Sequence, residues 1–332
     1  MPRVLVTGGA GFIGSHAANA LLARGHEVAV LDDLSGGFAE NVPAAARFVR
    51  GSVTDHVLVD RVFADGRFDY VFHLAAYAAE GLSHFIKRFN YVNNVVGSVN
   101  LINASINTGV RGFVFTSSIA VYGASPIVPM TESQRPEPED PYGIAKHAVE
   151  RELAVSKAMF DLDFMIFRPH NVYGPRQNIG DRYRNVVGIF MNQILQGQPM
   201  TIFGDGTQTR AFTFVDDVAP VMARAIDEPA AWNEVFNVGA DEPCTLNDLA
   251  RYVAAAMGVE PRVRHLPERH EVHDAHADHA KVRGLLGGAP ATALDVGLRR
   301  MAAWVREQGA RSSPPFKDIE VRKNLPAVWS SS

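Results

Sequence analysis

A tyrosine and a lysine four residues apart could act together as a base. Tyr142 and Lys146 share one face of a predicted helix, because residues i and i+4 lie one turn apart. A nearby ammonium favours the phenolate, and a phenolate can remove a proton from a hydroxyl group. Upstream, an apolar run ends in Ser117 and Ser118. A hydroxyl there could bind the same substrate oxygen that the tyrosine deprotonates.

A glycine-rich turn near the N-terminus is typical of a dinucleotide site. It follows an apolar run and opens a helical pattern, and it fits either Gly9, Gly11 and Gly14 or Gly8, Gly11 and Gly14. Glycine permits a tight turn and a close approach of the backbone to a pyrophosphate, whose charge lies at the helix N-terminus. Either register therefore predicts a phosphate-binding turn.

Asp32 ends the next predicted strand, 18 residues beyond Gly14. A carboxylate at this point accepts hydrogen bonds from the adenosine ribose hydroxyls and repels the 2′-phosphate of NADP. No arginine occurs in residues 33–37 to offset that repulsion. The expected cofactor is therefore NAD.

Short apolar runs alternate with helical patterns through the first half of the chain. The predicted strands are Val4–Thr7, Glu27–Asp32, Arg47–Gly51, Tyr70–Leu74, Gly112–Ser117 and Asp163–Arg168, and the predicted helices include Gly14–Arg24, Asn93–Asn107 and Pro141–Phe160. This alternation predicts an α/β fold with a doubly wound parallel sheet, whose ligands bind where the strands end.

The pattern becomes more polar after Tyr173. We predict a Rossmann domain that binds NAD over residues 1–173, with a returning strand near residues 234–239. Residues 174–332 then form mainly a smaller, interwoven α/β domain that binds the substrate.

Composition excludes several classes of protein. The 332 residues contain 32 Lys and Arg against 36 Asp and Glu, a net charge of -4, so nucleic acid is not an expected partner. No apolar run approaches the ~18 residues of a membrane span, and no membrane partner is expected. The single cysteine, Cys244, cannot form an intrachain disulfide. Its rarity suits a reducing compartment, and we predict a cytoplasmic protein.

From Val4 to about Gly287 the ordered motifs resemble the extended short-chain dehydrogenase/reductases, and within them the NAD-dependent nucleotide-sugar epimerases and dehydratases. The resemblance includes His73–Ala76, Arg168–Pro175, Gly204–Arg210 and Val215–Val218. It implies a UDP-sugar substrate and a homodimer packed through the helices that contain residues 94–107 and 142–160.

The resemblance also implies which residues form the site. Ser118, Tyr142 and Lys146 are the expected catalytic group. The expected cofactor-binding residues are Gly8, Gly11, Phe12, Ile13, Gly14, Asp32, Asp33, Ser35, Gly36, Ser52, Val53, Leu74, Ala75, Ala76, Asn94, Thr116, Tyr142, Lys146 and Pro169. The expected substrate-binding residues are Ser117, Ser118, Tyr142, His170, Asn171, Arg182, Val187, Thr201, Phe203, Arg210, Arg269 and His276. Asn171, Arg210 and Arg269 would hold the diphosphate, and Phe203 would lie against the base.

The absence of an acidic side chain just after Ser118 disfavours some of the reactions that the family catalyses. Family dehydratases carry an Asp-Glu pair just after the strand-end hydroxyl, and decarboxylating members tend to carry a glutamate there, whereas this chain has Ile119 and Ala120. Neither side chain can transfer a proton. We therefore expect 4-epimerisation of the UDP-glucose/UDP-galactose type through a transient 4-keto sugar.

Two alternatives remain open. Arg176, Arg182 and Arg184 follow Tyr173, and such cations could bind the carboxylate of UDP-glucuronate, which would make the protein a UDP-glucuronate 4-epimerase. A catalytically silent, NAD-sensing regulatory protein is the other alternative.

Some positions depart from the family pattern. Ser52 occupies a position where an aspartate commonly contacts adenine, and His276 one where epimerases limit the bulk of the sugar. Histidines recur at residues 270, 273, 276 and 279. Their spacing matches no known ligand set, so we predict no metal site.

Overall fold

A parallel sheet occupies the centre of the protein. The structure, a computed structural model, describes residues 1–269, 271–287 and 291–330. Its strands are β1 (Arg3–Thr7), β2 (Glu27–Asp32), β3 (Arg47–Arg50), β4 (Tyr70–His73), β5 (Gly112–Thr116), β6 (Asp163–Pro169), β7 (Val172–Tyr173), β8 (Met200–Phe203), β9 (Thr209–Ala211), β10 (Thr213–Phe214), β11 (Glu234–Val238), β12 (Pro243–Thr245), β13 (Val263–Leu266) and β14 (Asp274–Ala275). Seven of them form the central sheet in the order β11-β6-β5-β4-β1-β2-β3, and every pairing is parallel.

Helices cover the sheet and build most of the second half. They are α1 (Phe12–Ala23), α2 (His56–Gly66), α3 (Glu80–Ser83), α4 (Lys87–Tyr91), α5 (Gly97–Thr108), α6 (Pro141–Phe160), α7 (Val186–Leu195), α8 (Ala219–Ala223), α9 (Leu246–Met257), α10 (Ala280–Leu286), α11 (Leu294–Gln308) and α12 (Ala327–Ser330). A π-helical turn at Val92–Val96 joins α4 to α5. The predicted helix over 93–107 therefore spans two elements.

The strands form because their sequences are short apolar runs that are buried on both faces. All of β4 and β5 is buried, and so is β1 after its first residue. Burial on both faces requires helices on both sides of a parallel sheet. The predicted doubly wound α/β fold is confirmed.

The second half of the chain contributes one strand, β11, to the central sheet. β11 pairs in parallel with β6, close to the returning strand predicted near 234–239. Residues 215–225 also pack into the core of the sheet, although they lie well beyond Tyr173. The two halves of the chain are thus interwoven around the ends of the strands, and the division at residue 173 stays a prediction.

The second half has a core of its own. Helices α7, α9 and α11 pack together over Tyr173, Phe190, Met200 and Phe214. Small sheets of two or three strands, β13-β8 and β12-β9-β14, join this core to the central crevice. They hold residues 200–211 and 263–275 beside the ends of the central strands.

The C-terminal tail packs back onto α3 and α4. Phe316 contacts the ring of Phe89, with centroids 4.8 Å apart, and Glu320 accepts hydrogen bonds from the backbone N–H groups of Arg88 and Phe89. Trp329 is buried beside Phe85. None of the helices described is long and apolar enough to cross a membrane.

Candidate active site

The helix that carries the tyrosine–lysine pair begins at a strong N-terminal cap. Oδ1 of Asp140 accepts hydrogen bonds of 2.9 Å from the backbone N–H groups of Tyr142 and Gly143, and Pro141 occupies the first turn. Both features favour a helix start at this residue. The ammonium of Lys146 donates a 2.7 Å hydrogen bond to the carbonyl oxygen of Thr116 at the end of β5. Tyr142 and Lys146 are therefore fixed against the strand that leads into Ser118.

Burial is the largest cause of the pKa shifts of Tyr142 and Lys146. It raises the pKa of Tyr142, which a hydrogen bond with Ser118 and the charge of Arg184 lower in part, while Glu80 and Asp140 raise it further. Burial also lowers the pKa of Lys146 to about 7, against the charge of Glu150. We expected Lys146 to lower the Tyr142 pKa, but the favourable contributions come from Ser118 and Arg184.

Ser117 faces a buried ion pair. Its hydroxyl donates a 2.6 Å hydrogen bond to Oε1 of Glu150, and the guanidinium of Arg168 binds both oxygens of that carboxylate at 2.9 and 2.5 Å. Arg168 and Glu150 are only 4% and 5% exposed. Ser118, by contrast, is half-buried and bonds with Tyr142. The hydroxyl of Ser117 therefore makes a structural contact, whereas that of Ser118 belongs to the expected catalytic group.

The glycine turn forms a cradle that side chains would fill. A Cβ on Gly8, whose φ is +72°, would lie 2.6 Å from the backbone nitrogen of Ala75, and one on Gly14 would lie 2.1 Å from the carbonyl oxygen of Gly8. Gly9 instead packs against Val30, where a Cβ would lie 2.7 Å from a methyl carbon. Gly8, Gly11 and Gly14 line the cavity described below, so this register forms the phosphate turn. The turn leads into α1, as a pyrophosphate site requires.

Asp32 is built into the same turn. Its Oδ2 accepts a 3.0 Å hydrogen bond from the backbone N–H of Ala10, and its Oδ1 accepts one of 2.8 Å from Leu34. The carboxylate also faces the cavity, where ribose hydroxyls can reach it. Together with the glycine cradle, this arrangement fits an adenosine diphosphate without a 2′-phosphate, and hence NAD.

One cavity of about 450 Å³ runs along the carboxyl ends of the central strands. All three expected catalytic residues line it, and so do all the expected cofactor-binding residues apart from Asn94. The expected substrate-binding residues that line it are Ser117, Ser118, Tyr142, Asn171, Val187, Arg210 and Arg269. Most of the predicted site is therefore brought together.

Three predicted residues lie behind the cavity wall. Asn94 is buried, and its amide bonds to both backbone polar groups of Tyr77, which does line the cavity. His170 is also buried, with its ring bound to the carbonyl oxygen of Ala211 and to His279. Half-buried His276 accepts a backbone hydrogen bond from Met130.

Three more predicted substrate-binding residues, Arg182, Thr201 and Phe203, do not line the cavity. Arg182 is exposed and does not line the cavity. The hydroxyl of Thr201 accepts a 2.9 Å hydrogen bond from Gln193. Phe203 lies under the guanidinium of Arg269, 4.6 Å from its carbon to the ring centre. Phe203 therefore positions an arginine that faces the cavity.

The two expected diphosphate-binding arginines are held in place before any ligand binds. Arg210 donates hydrogen bonds to the backbone carbonyl groups of Thr209, Val272 and His273. Arg269 forms an ion pair with Glu271 at 2.8 Å. Two fixed guanidinium groups facing one cavity suit a dianionic diphosphate.

Sequence reasoning missed several residues of the cavity wall. Glu80 and Tyr77 line the cavity, and Arg184 lies over the Tyr77 ring at 5.1 Å. The sequence predicts Arg182 as a substrate-binding residue, whereas Arg184 is the one that lines the cavity. The cap signal of Asp140 before Pro141 was available in the sequence. Nothing in the sequence placed the short helix α3 against α6.

The described residues contain no group of three or more His, Cys, Asp or Glu side chains that could hold a metal ion. His270 lies outside the described residues. His279 is buried, and its two ring nitrogens contact Asp241 at 2.7 Å and His170 at 2.9 Å. The three histidines of the pattern that are described, at residues 273, 276 and 279, therefore do not belong to such a group.

The fold and the glycine turn together define an enzyme of the Rossmann type that depends on a dinucleotide. The model of the NAD-dependent epimerase/dehydratase family matches residues 4–239. The chain belongs to this family, and the expected family, cofactor and enzyme class are confirmed.

Relatives of known identity extend the match along the chain. A UDP-glucose 4-epimerase of Mycolicibacterium smegmatis is 38% identical over 314 residues, covering 92% of this chain and 99% of the relative. The crystal structure of a Thermotoga maritima UDP-glucose 4-epimerase with UDP-glucose is 36% identical and superposes with a TM-score of 0.88 over 92% of this chain and 99% of that one. A Bacillus cereus UDP-glucuronic acid 4-epimerase, solved with UDP-glucuronic acid and NAD, is 29% identical with a TM-score of 0.84 and the same coverage.

Proposed function

We propose that the protein catalyses the NAD-dependent 4-epimerisation of a UDP-sugar of the UDP-glucose/UDP-galactose type. The observation that carries this proposal is that Tyr142 and Ser118 line one cavity together with Arg210 and Arg269. A base, an oxygen-binding hydroxyl and a diphosphate anchor are the parts that the reaction needs. The relatives named above support the choice of a UDP-sugar.

The chain's own residues move the proton. Tyr142, as the phenolate, removes the proton of the sugar 4-hydroxyl, and Ser118 donates a hydrogen bond to the oxygen as it becomes a carbonyl. When bound, NAD would supply the hydride acceptor and the hydride donor that C4 requires. Lys146, held by Thr116, would bind the nicotinamide ribose. Tyr142 then returns its proton to O4 of the epimer.

The anchor must tolerate rotation of the sugar. Arg210 and Arg269 would hold the diphosphate, because their guanidinium groups are fixed by contacts at one end of the cavity. A 4-keto sugar that is held only through its diphosphate can rotate, so that the opposite face of C4 receives the returning hydride. Strong contacts to the nucleotide and weak contacts to the ring suit this requirement.

The positions that distinguish related reactions carry no acid. Ile119 and Ala120 are 9% and 8% exposed and follow Ser118 in a short 3₁₀ turn. Neither can protonate a leaving group or remove a proton at C5. Epimerisation needs no group at these positions, which favours it over elimination and decarboxylation.

Incubation with UDP-glucose, UDP-glucuronate and UDP-N-acetylglucosamine in separate reactions, with products resolved by NMR, tests the proposal. We expect UDP-glucose to be converted to UDP-galactose without added NAD, and Tyr142→Phe to lose at least about 10³-fold in kcat. Near-normal epimerisation by Tyr142→Phe would overturn the mechanism. Formation of a 4-keto-6-deoxy or decarboxylated product would overturn the reaction, and bound NAD with no turnover would favour a regulatory protein.

The alternative substrate, UDP-glucuronate, is supported by one structural observation. Arg184 lines the cavity and its charge acts on Tyr142, so a cation lies within reach of the sugar. The structural similarity to the Bacillus cereus enzyme points the same way. Conversion of UDP-glucuronate in preference to UDP-glucose in the same NMR experiment would establish this alternative.

A homodimer is part of the proposal. Apolar side chains are exposed on the helices expected to pair, including Val96, Ile144, Val155 and Met159, which are between 42% and 68% exposed. Their burial in a partner would remove apolar surface from water. Light scattering coupled to size-exclusion chromatography should give twice the mass of 36.1 kDa, and a monomer at micromolar concentration would contradict the proposal. The cytoplasmic location stays a prediction.

A further inference from the structure

Glu80 brings a carboxylate into the part of the cavity where the sugar would lie. It is the first residue of α3, and it lines the cavity together with Tyr142 and Ser118. The residue is exposed to solvent, and it forms part of the cavity wall. Of the carboxylates near the catalytic tyrosine, its charge has the largest effect on the pKa of Tyr142.

The Glu80 carboxylate has no hydrogen-bond or ion-pair partner among residues 1–269, 271–287 and 291–330. Its backbone carbonyl, in contrast, accepts a 2.6 Å hydrogen bond from the hydroxyl of Ser83. A carboxylate that lacks donors from the protein can accept hydrogen bonds from a ligand that displaces its water. The backbone of this helix turn is thus fixed by Ser83, and the Glu80 carboxylate can accept hydrogen bonds from a ligand in the cavity.

The charges around Glu80 indicate where along the substrate it lies. Asp140 and Glu271 raise its pKa after the larger effect of burial, while Arg210 and Arg269 lower it. Glu80 therefore shares the cavity, and interacts electrostatically, both with Tyr142, which would act at C4, and with the two arginines, which would hold the diphosphate at C1. A sugar spanning these two points presents the edge of its ring to Glu80.

We propose that Glu80 is a specificity-determining residue, which accepts hydrogen bonds from hydroxyl groups of the sugar and rejects sugars that carry a carboxylate at C6. This inference rests on the proposed function, because it assumes that a UDP-sugar occupies the cavity. A neutral hexose supplies the missing donors. A hexuronate adds a negative charge to a cavity that Glu80, Asp140 and Glu271 already line, where like charges are costly.

The same observation separates the two candidate substrates of the proposed function. Arg184 could favour a hexuronate, but its guanidinium is already paired with Asp181 at 2.6 Å. Glu80 has no such partner. The balance of charge at the sugar therefore favours the neutral hexose.

Glu80→Gln tests the inference, since glutamine keeps the size of the side chain and removes its charge. The measurement is the ratio of kcat/KM for UDP-glucose to that for UDP-glucuronate, in wild-type holoenzyme and in the variant. We expect the ratio to fall at least about 10-fold in Glu80→Gln. Calorimetric titration with UDP-glucose, UDP-glucuronate and UDP gives the same comparison for binding, and UDP, which has no sugar, should bind both proteins equally.

Glu139→Gln is the matched control, because Glu139 also lines the cavity and carries the same charge. It should leave the substrate ratio unchanged. Glu80→Ala is a second variant, in which the loss of hydroxyl contacts should raise KM for UDP-glucose while NAD content and the circular dichroism spectrum stay those of the wild type.

The outcomes distinguish this inference from the proposed function. A wild-type enzyme that epimerises UDP-glucose, with Glu80→Gln showing an unchanged ratio in turnover and binding, would overturn the role of Glu80 alone. A wild-type protein that turns over no UDP-sugar would overturn the proposed function. In that event the binding ratio still decides whether Glu80 discriminates between the two ligands.

Discussion

Lys146 donates a 2.7 Å hydrogen bond to the carbonyl oxygen of Thr116, which ties the catalytic helix to the end of a central strand. Because Ser118 follows Thr116 by two residues, this bond helps to fix the position of Tyr142 relative to Ser118. The helix begins at the Asp140 cap and the strand is buried in the sheet. The geometry of the catalytic group is therefore set by rigid elements rather than by loops.

A second set of buried contacts also joins the catalytic helix α6 to the end of β5. Glu150 lies one turn after Lys146 on the helix, and it joins Ser117 on the strand end to Arg168 on the next strand. The hydroxyl of Tyr122 accepts a 2.7 Å hydrogen bond from Arg168 and donates one of 2.8 Å to Asn237 on the returning strand. These buried polar groups are all paired with one another, which makes the junction specific but sensitive to the loss of any member.

Ser118→Ala should slow the reaction and move its pH dependence. The hydrogen bond from Ser118 lowers the pKa of Tyr142, so its removal raises that pKa and leaves less phenolate at a given pH. We expect kcat to fall about 10²-fold and the rising limb of the pH–kcat profile to shift to higher pH. Ser118→Thr keeps a hydroxyl and should restore the position of the limb. A lower kcat with an unmoved limb in Ser118→Ala would contradict this role.

Lys146→Met should abolish most activity yet improve stability near neutral pH. Burial lowers the pKa of Lys146 to about 7, whereas in the unfolded chain it titrates near 10.5. The folded protein therefore binds fewer protons than the unfolded chain between these values, and the cost of burying the lysine is present in full below pH ~7 and fades as the pH rises towards ~10.5.

The measurement is the free energy of unfolding of wild type and Lys146→Met from pH 6 to pH 10. The lost hydrogen bond to Thr116 adds a constant that does not vary with pH, so the slope of the difference is the decisive quantity. We expect the difference to change in favour of the wild type as the pH rises. A difference that does not vary over this range would show that Lys146 is not perturbed.

The sequence was sufficient for the elements that repeat a simple pattern. The helix at residues 141–160 and the strand at 27–32 were predicted with their observed bounds, because a helical pattern and a short apolar run are local signals. The phosphate turn was predicted in two registers, and only the packing of Gly9 on Val30 chooses between them.

Contacts between distant parts of the chain were beyond sequence reasoning. Glu80 reaches the cavity because α3 packs against the start of α6, about 60 residues away in sequence, and no local pattern encodes that approach. His276 and Thr201 carry suitable side chains but do not line the cavity: the backbone carbonyl of His276 pairs with Met130, and the hydroxyl of Thr201 accepts a hydrogen bond from Gln193. The fit of the C-terminal tail on α4 likewise depends on surfaces that exist only after folding.

Arg168→Met should destabilise the fold more at pH 8 than at pH 5. Burial alone would raise the pKa of Glu150, but its bonds with Arg168 and His147 bring it below the ordinary value. Without Arg168, a buried carboxylate loses its partner, which costs about 3–5 kcal/mol. Because Glu150 can then take up a proton, the cost is full at high pH and declines as the pH falls towards the ordinary value of ~4.3.

Urea unfolding of three variants measures this effect. Arg168→Met and Glu150→Leu each leave one charge unpaired, whereas the double variant removes both charges and should recover most of the lost free energy of unfolding. Additive losses in the double variant would contradict a direct coupling between the two side chains.

Arg184→Ala should weaken the retention of NAD, while Arg182→Ala should not. The guanidinium of Arg184 lies over the ring of Tyr77 and close to Gly36, where a Cβ would lie 3.3 Å from its nitrogen, so it spans from the cavity wall to the turn after Asp32. Arg182, two residues earlier, is exposed and does not line the cavity. We expect the Kd for NAD to rise about 10-fold in Arg184→Ala, as the loss of one charge-assisted contact would give. The NAD content after size-exclusion chromatography, together with fluorescence titration, measures this change. Equal retention in the two variants would show that Arg184 does not reach the dinucleotide, and a loss confined to Arg182→Ala would favour the residue that the sequence alone selected.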